Sequence, residues 1–263
     1  MTVKIGKVER YINETLESKG AMLFSLIDPI DYKSEDGAVK SAAESVKGGA
    51  DLVLIGGSIG VQGSILDNVT KRIRDSVDVP VVIFPGNIGT ITVNSDALYF
   101  MSLLNSRNAY WITQAQMLAA PVIKKSGVEP LPVGYIVVHP GGTVGWIGDV
   151  NLIPREKPLL ASSLAMAGEF LGNRMIITDT GSNPQLQKFG PVPNEMIRAV
   201  KSAISVPYVV AGGIRSIEQI RDVYSNGADI VQVGTVFEAS ATRKMATAFS
   251  NVAKEEGRKK LRV

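Results

Sequence analysis

Tyr208-Val209-Val210-Ala211-Gly212-Gly213-Ile214-Arg215 reads as a short apolar strand that breaks into two glycines and then opens a helix. Glycines at such a turn let the backbone come close to a ligand, and the first N–H groups of the following helix lack intrahelical partners. A phosphate fits there. The chain repeats the device between Asp229 and Thr235, where Ile230-Val231-Gln232-Val233 runs into Gly234-Thr235. Two adjacent strand-to-helix turns of this kind, late in a chain of alternating strands and helices, form the phosphate site of a closed parallel barrel.

Working outward, six more apolar runs precede these two: Ala21 to Ile27, Asp51 to Ile55, Val79 to Phe84, Ala97 to Leu104, Gly134 to Val138 and Arg174 to Asp179. Their continuous apolar character suits strands buried on both faces. Helical patterns separate them. Ser34 caps a helix carrying Val39, Ala42, Ala43 and Val46, which ends at Gly48-Gly49, and further helices are expected over Ser64 to Asp75 and Tyr110 to Lys125, the latter bent at Pro121. Lys4 to Ser18 places Ile5, Val8, Ile12 and Leu16 at helical spacing ahead of the first strand and should lie across one end of the fold. The expected fold class is therefore α/β, a single (β/α)8 TIM barrel with an extra N-terminal helix, occupying residues 1–263 as one domain. Internal echoes agree with it: Val79-Pro80-Val81-Val82 resembles Val206-Pro207-Tyr208-Val209, and Gly49-Ala50-Asp51 resembles Gly227-Ala228-Asp229.

At 45% hydrophobic and 20% charged residues the chain has ample core, and disorder is not indicated. The absence of cysteine excludes disulfides, zinc-thiolate sites and a cysteine nucleophile. No signal peptide and no membrane span are legible, so a cytoplasmic protein is expected. The net charge of +3 gives no reason to expect nucleic acid as a partner. Lys254, Arg258, Lys259, Lys260 and Arg262 make a basic tail, read as a solvated helix end, with loose attraction to an anionic membrane as the alternative. Pro140 to Pro158 is the longest stretch expected to be irregular; Trp146 within it should pack, against a partner subunit or the local core.

Barrel enzymes work where their strands stop. Those positions are Asp28, Gly57-Ser58, Gly86-Asn87, Asn105-Ser106, His139, Asp179 to Ser182, Gly212-Gly213 and Gly234-Thr235. Such a rim suits phosphates and a divalent cation better than covalent catalysis. Asp28 is a magnesium ligand or a turn cap before Pro29, since Mg²⁺ takes one or two carboxylates plus phosphate oxygens and water. Ser58 is placed to coordinate near the same ion or to cap. Asp179 is placed to orient or deprotonate a hydroxyl. Gly181-Ser182-Asn183-Pro184 offers a third set of phosphate donors, Arg215 faces either a phosphate or a neighbouring carboxylate, and His139, the only histidine, is read as structural.

Taken together, Ile27-Asp28-Pro29, Gly56-Gly57-Ser58, Phe84-Pro85-Gly86-Asn87, Leu103-Leu104-Asn105-Ser106, Gly181-Ser182, Ala211-Gly212-Gly213-Ile214-Arg215 and Val233-Gly234-Thr235 resemble the geranylgeranylglyceryl phosphate synthase family, the prenyltransferase barrels of archaeal ether lipids and their bacterial heptaprenyl relatives. The resemblance covers nearly the whole chain. It implies Mg²⁺-dependent transfer of a prenyl group, by default geranylgeranyl, from its diphosphate to the 3-hydroxyl of sn-glycerol 1-phosphate; a homo-oligomer is expected with or without that activity, with the Trp146 loop as a candidate contact. Asp28 and Ser58 would belong to the metal and diphosphate site. Thr178, Asp179, Thr180, Gly181 and Ser182, with Gly212, Gly213, Gly234 and Thr235, would hold the glycerol phosphate, and Asp179 would serve as base. The family usually has Tyr-x-Glu at the end of strand six followed by Ala-Gly-Ser-Gly; here Ile177-Thr178-Asp179 precedes Thr180-Gly181-Ser182-Asn183, and Thr235 stands where Asn is common. Tyr99, Phe100, Tyr110 and Trp111 are expected to line or close an apolar channel for the prenyl tail, or to pack in the core. Two other readings are a phosphate-binding or assembly barrel without catalysis, and a sugar-phosphate isomerase or aldolase. The second is disfavoured because no lysine ends a strand for a Schiff base.

Overall fold

The computed structural model describes residues 4–57, 59–182, 189–238 and 242–262. Eight parallel strands follow one another around a closed barrel, and the last pairs with the first. They are β1 (Met22–Ile27), β2 (Leu52–Ile55), β3 (Val81–Ile83), β4 (Ala97–Leu103), β5 (Glu129–Val137), β6 (Met175–Asp179), β7 (Tyr208–Ala211) and β8 (Ile230–Val233). One alternation of side chains, including Phe24, Leu54, Tyr99, Tyr135, Ile177, Val209 and Ile230, forms the core within the barrel. The other, including Val53, Ile83, Ile176, Val210 and Val231, packs under the helices. This double burial is why the strands read as unbroken apolar runs.

The helices are α1 (Lys7–Lys19), α2 (Glu35–Lys47), α3 (Gly63–Ser76), α4 (Ala115–Ser126), α5 (Gly142–Ile147), α6 (Pro158–Phe170), α7 (Asn194–Ala203), α8 (Ile217–Ser225) and α9 (Thr242–Lys260). As expected, α1 closes one end: Val8 and Ile12 join the core inside the barrel. Its N-terminal Gly6 offers no side chain to cap the helix, and Glu129 at the start of β5 does so instead, accepting from Val8 N at 2.8 Å and Glu9 N at 2.9 Å. Ser34 caps α2 through Gly37 N, as the sequence predicts.

Three expectations need correction. β5 starts at Glu129 instead of Gly134, despite Pro130 and Pro132. Those prolines precede the first pairing with β6, Val133 with Met175, so no ladder donor is missing on that side. The expected helix at Tyr110 opens as a π-helical turn over Tyr110–Gln114 before α4 begins. The stretch from Pro140 to Pro158 is not irregular throughout: it contains α5, hidden in the sequence by its glycines, and Trp146 on it is 87% exposed and touches no local core.

The sequence echoes have a physical counterpart. Asp51 accepts from Leu23 N and is paired with Lys19, while Asp229 accepts from Tyr208 N and is paired with Lys201. The two loops use one device to pin the entrance of a strand. Finally, α9 follows the β8 loop and runs away from the mouth, ending with Gly257 packed on the backbone of Lys19 and Gly20 and with Lys260 donating to Ala228 O. The basic tail therefore lies at the end of the barrel opposite the strand C-termini.

Candidate active site

A cavity of about 400 Å³ opens at the C-terminal ends of the strands, joined by a smaller recess of about 80 Å³. Asp28, Asp179, Ser182 and Thr235 line both, and Gly212, Gly213 and Gly234 line the recess. The structure thus gathers seven of the residues singled out in sequence around one mouth.

On the β1 side one carboxylate oxygen is buried without a partner. Asp28 follows the last residue of β1 and leads into a 3-10 turn; its Oδ1 is buried without a hydrogen-bond partner. Burial, and then the charge of Asp31, push its carboxyl up to about 6. Glu238, just past β8, is pushed up to about 7 by burial and by Asp31 and Asp28, with Arg215 acting the other way. Arg215 thereby faces a carboxylate, one of the two roles its sequence position allows, while also lining the recess.

On the β6–β8 side the carboxylate is fully tied. Asp179 is buried at the end of β6; its Oδ2 accepts from Tyr135 Oη at 2.7 Å and its Oδ1 from Gly181 N at 2.6 Å. Burial raises its pKa and both hydrogen bonds oppose the rise. Tyr135 pairs in register with Ile177, so the phenol comes from the strand next to the position where the family's tyrosine would stand. Gly212 has φ +78°, and a side chain there would collide with Asp179 Oδ1 and come within 2.7 Å of Thr180 Oγ1. Only a glycine lets this turn pack so closely beside the carboxylate. Across the recess Ser182 Oγ and Thr235 Oγ1 are 3.1 Å apart.

Two of the expected glycerol phosphate residues are placed differently. Thr178 is fully buried and its hydroxyl bonds Tyr208 Oη at 2.7 Å, because alternate residues of β6 face the helices. Thr180 is buried beneath the mouth, its Oγ1 without a partner. Ser58, like Asn183 and Pro184, lies outside the described residues. His139 lines neither cavity; its ring contacts Phe189 edge-on and its backbone N–H donates to Ile153 O, a structural role.

Among the residues of the mouth that escaped the sequence reading are Asp31, Tyr135, Gln232 and Glu238. Gln232 has an unpartnered buried Oε1 and lines the recess. A lone amide within the apolar run Ile230 to Val233 was the available signal. The 141–153 segment also contributes, since Val144, Ile147 and Gly148 wall the cavity. Asn105 and Ser106 at the end of β4 hold it, Asn105 Nδ2 donating to Asn151 O and Ser106 Oγ to Gly148 O.

From Pro85, Met101 and Trp111 the cavity continues into an apolar groove lined by Ile88, Tyr99 and Phe100. Tyr110 packs edge-on against Trp111 with ring centres 4.9 Å apart. Among the described residues no group of three or more His, Cys, Asp or Glu could by itself hold a metal ion. The orphaned Oδ1 of Asp28 beside Asp31 nevertheless fits a hard cation such as Mg²⁺, which takes few protein ligands and completes its shell with phosphate oxygens and water.

The sequence profile described as the PcrB family matches residues 14–253. The chain belongs to the PcrB family. Among its PcrB-family relatives, the geranylgeranylglyceryl phosphate synthase of Pyrococcus abyssi is 49% identical over 240 residues, covering 90% of this chain and 92% of the relative. That of Pyrococcus horikoshii is 49% identical over 245 residues, 93% and 94% of the two chains. The crystal structure of (S)-3-O-geranylgeranylglyceryl phosphate synthase from Thermoplasma acidophilum, in complex with substrate sn-glycerol-1-phosphate, superposes with a TM-score of 0.88 at 30% identity, covering 96% of this PcrB-family chain and all of the other.

Proposed function

We propose that this chain is a prenyltransferase that moves the geranylgeranyl group of geranylgeranyl diphosphate to the 3-hydroxyl of sn-glycerol 1-phosphate, forming the first ether bond of archaeal membrane lipids. The observation that carries the reading is one mouth holding a glycine-built anion recess, a carboxylate with one buried, unpartnered oxygen and an apolar groove. The glycerol phosphate enters the recess, where the turns at Gly212-Gly213 and Gly234-Thr235 offer backbone N–H groups and Ser182 and Thr235 offer hydroxyls. The prenyl chain lies along Trp111, Phe100 and Ile88, with its diphosphate toward Asp28. Asp28, with Ser58 from the sequence pattern, would hold Mg²⁺, which when bound neutralises the charge building on the departing diphosphate.

In this reading the bond from the allylic carbon to the diphosphate oxygen breaks, and the glycerol oxygen forms the new bond to that carbon. Asp179 takes the hydroxyl proton, and its raised pKa suits a base. Tyr135 and Gly181 fix the carboxylate, so little reorientation is needed at the moment of reaction. Among the described residues no helix is long and apolar enough to cross a membrane. On this reading the enzyme works in the cytoplasm, where it meets the lipid donor from the aqueous side through transient membrane contact. A single domain is proposed over residues 1–263, and self-association through exposed Trp146, the α6 residues Leu159 and Phe170, and Leu171 just after them. Labelled sn-glycerol 1-phosphate should enter a hydrophobic product only with Mg²⁺ and geranylgeranyl diphosphate. Equal use of the sn-3 isomer, or no transfer, would overturn the assignment.

A further inference from the structure

We infer that the β1–β3 side of the mouth is a membrane-docking surface, with Ile30, Ile59 and Ile88 entering the headgroup layer and Lys33, Lys40, Arg243 and Lys244 engaging lipid phosphates. The inference rests on the reading of a prenyl diphosphate donor and says from where that donor arrives.

The three isoleucines lie on the loops that follow three consecutive strands and are 51%, 63% and 43% exposed. The loops touch: Gly60 lies beside Ile30, and Gly89 beside Gln62. Ile30 and Ile59 border the main cavity and Ile88 the apolar groove, so the aliphatic tips ring the entrance. Exposed aliphatic side chains clustered on a rim mark an interaction surface. A large groove between α2 and the start of α9 meets the main cavity at Asp31 and Glu238 and carries Lys33, Lys40, Arg243 and Lys244, all exposed, from the loop after β1 down the flank of α2. None forms an ion pair among the described residues.

Three acids of the groove, Asp31, Glu44 and Glu238, offset part of the charge of its four cations, and the Glu44 pKa is held down by Lys47 first and then by Arg243 and Lys40. Glu44 is paired with Lys47, Glu35 and Asp36 with Arg72, and Asp31 and Glu238 also face the mouth. Apolar tips flanked by unpaired cations complement an anionic bilayer, whose interface accepts both. A protein partner would need no apolar groove opening from the same rim. A lipid does: the prenyl chain passes from bilayer to groove without crossing water. The cations at the far end of α9, Arg258 and Arg262, face away from this surface and serve as the control.

The full-length protein should co-sediment with vesicles containing an anionic phospholipid, more weakly as salt rises, and not with neutral vesicles. Lys33→Glu with Arg243→Glu should weaken binding about fivefold for each cation removed. Ile30→Asp with Ile59→Asp should abolish it while the thermal melt stays cooperative, and Arg258→Glu with Arg262→Glu should leave it unchanged. The Lys33/Arg243 variant should keep its turnover on detergent-dispersed donor and lose it on donor presented in anionic vesicles. No vesicle binding by the wild-type protein, or equal loss in the far-end control, overturns the inference. Absence of turnover on detergent-dispersed donor would count against the prenyltransferase reading alone, since vesicle binding is measured without it.

Discussion

The two walls of the mouth treat their carboxylates in opposite ways. On the β1 wall Asp28 leaves an oxygen buried and unpartnered, crowded by Asp31 and near Glu238. On the β6 wall Asp179 is more deeply buried, yet both its oxygens accept hydrogen bonds. A buried charge without a partner costs folding free energy, so the fold tolerates it where a ligand will supply the partner. A charge already satisfied has its position set before any ligand arrives. The first wall is built to receive charge and the second to orient a hydroxyl.

The largest effect should come from breaking the receiving wall. Asp28→Ala should lower turnover by at least about 10³-fold, while calorimetry still detects sn-glycerol 1-phosphate binding; near-normal turnover would remove the contrast altogether. Next, Gly212→Ala pushes a methyl group into Asp179 and Thr180 at a positive φ and should raise KM for the acceptor roughly 10²-fold, with KM for the prenyl donor unchanged. A rise in both constants would mean that the walls are not separable.

Smaller still is Tyr135→Phe, which takes a donor from a buried carboxylate and should lower kcat about tenfold. That hydrogen bond holds the Asp179 pKa down, so its loss should move the acid limb of the pH–rate profile to higher pH. A profile that only drops in height would assign the tyrosine to packing.

The smallest effect is one of stability, present above acid pH and absent below it. The Asp28 carboxyl titrates near 3.8 unfolded and about 6 folded, so the unfolded chain loses its proton first. Stability is therefore lost as pH rises through that window and stays lower above it. Asp28→Asn escapes the loss. Its melting point should exceed that of the wild type above pH 6 by the equivalent of about 1 kcal/mol, screening by the open mouth included, and the gain should vanish near pH 4. A stabilisation that does not change with pH would show that the unpartnered oxygen is not its source.

What the sequence makes legible follows from local physics. Each strand ends where its apolar run meets a glycine or a polar residue, so the rim positions Asp28, Asp179, Gly212 and Thr235 can be read in order along the chain. Tyr135 and Glu238 cannot be read this way, because their importance arises from neighbours on other strands. Thr178 shows the reverse error: adjacent to Asp179 in sequence, it faces the helices, as the two-residue period of a strand requires. The helix α5 was hidden because Gly142-Thr-Val-Gly-Trp-Ile147 has poor intrinsic helical preference, and its anchors, Asn105 and Ser106, lie far back in the chain.

The cap that Glu129 places on α1 also orders events in time. The first helix of the chain cannot receive this cap until a residue 121 positions further on has been made. On the ribosome, which adds roughly 5–20 residues per second, α1 must wait several seconds for β5. Its apolar stripe of Val8 and Ile12 stays without its final partners during that time, and the barrel floor closes late.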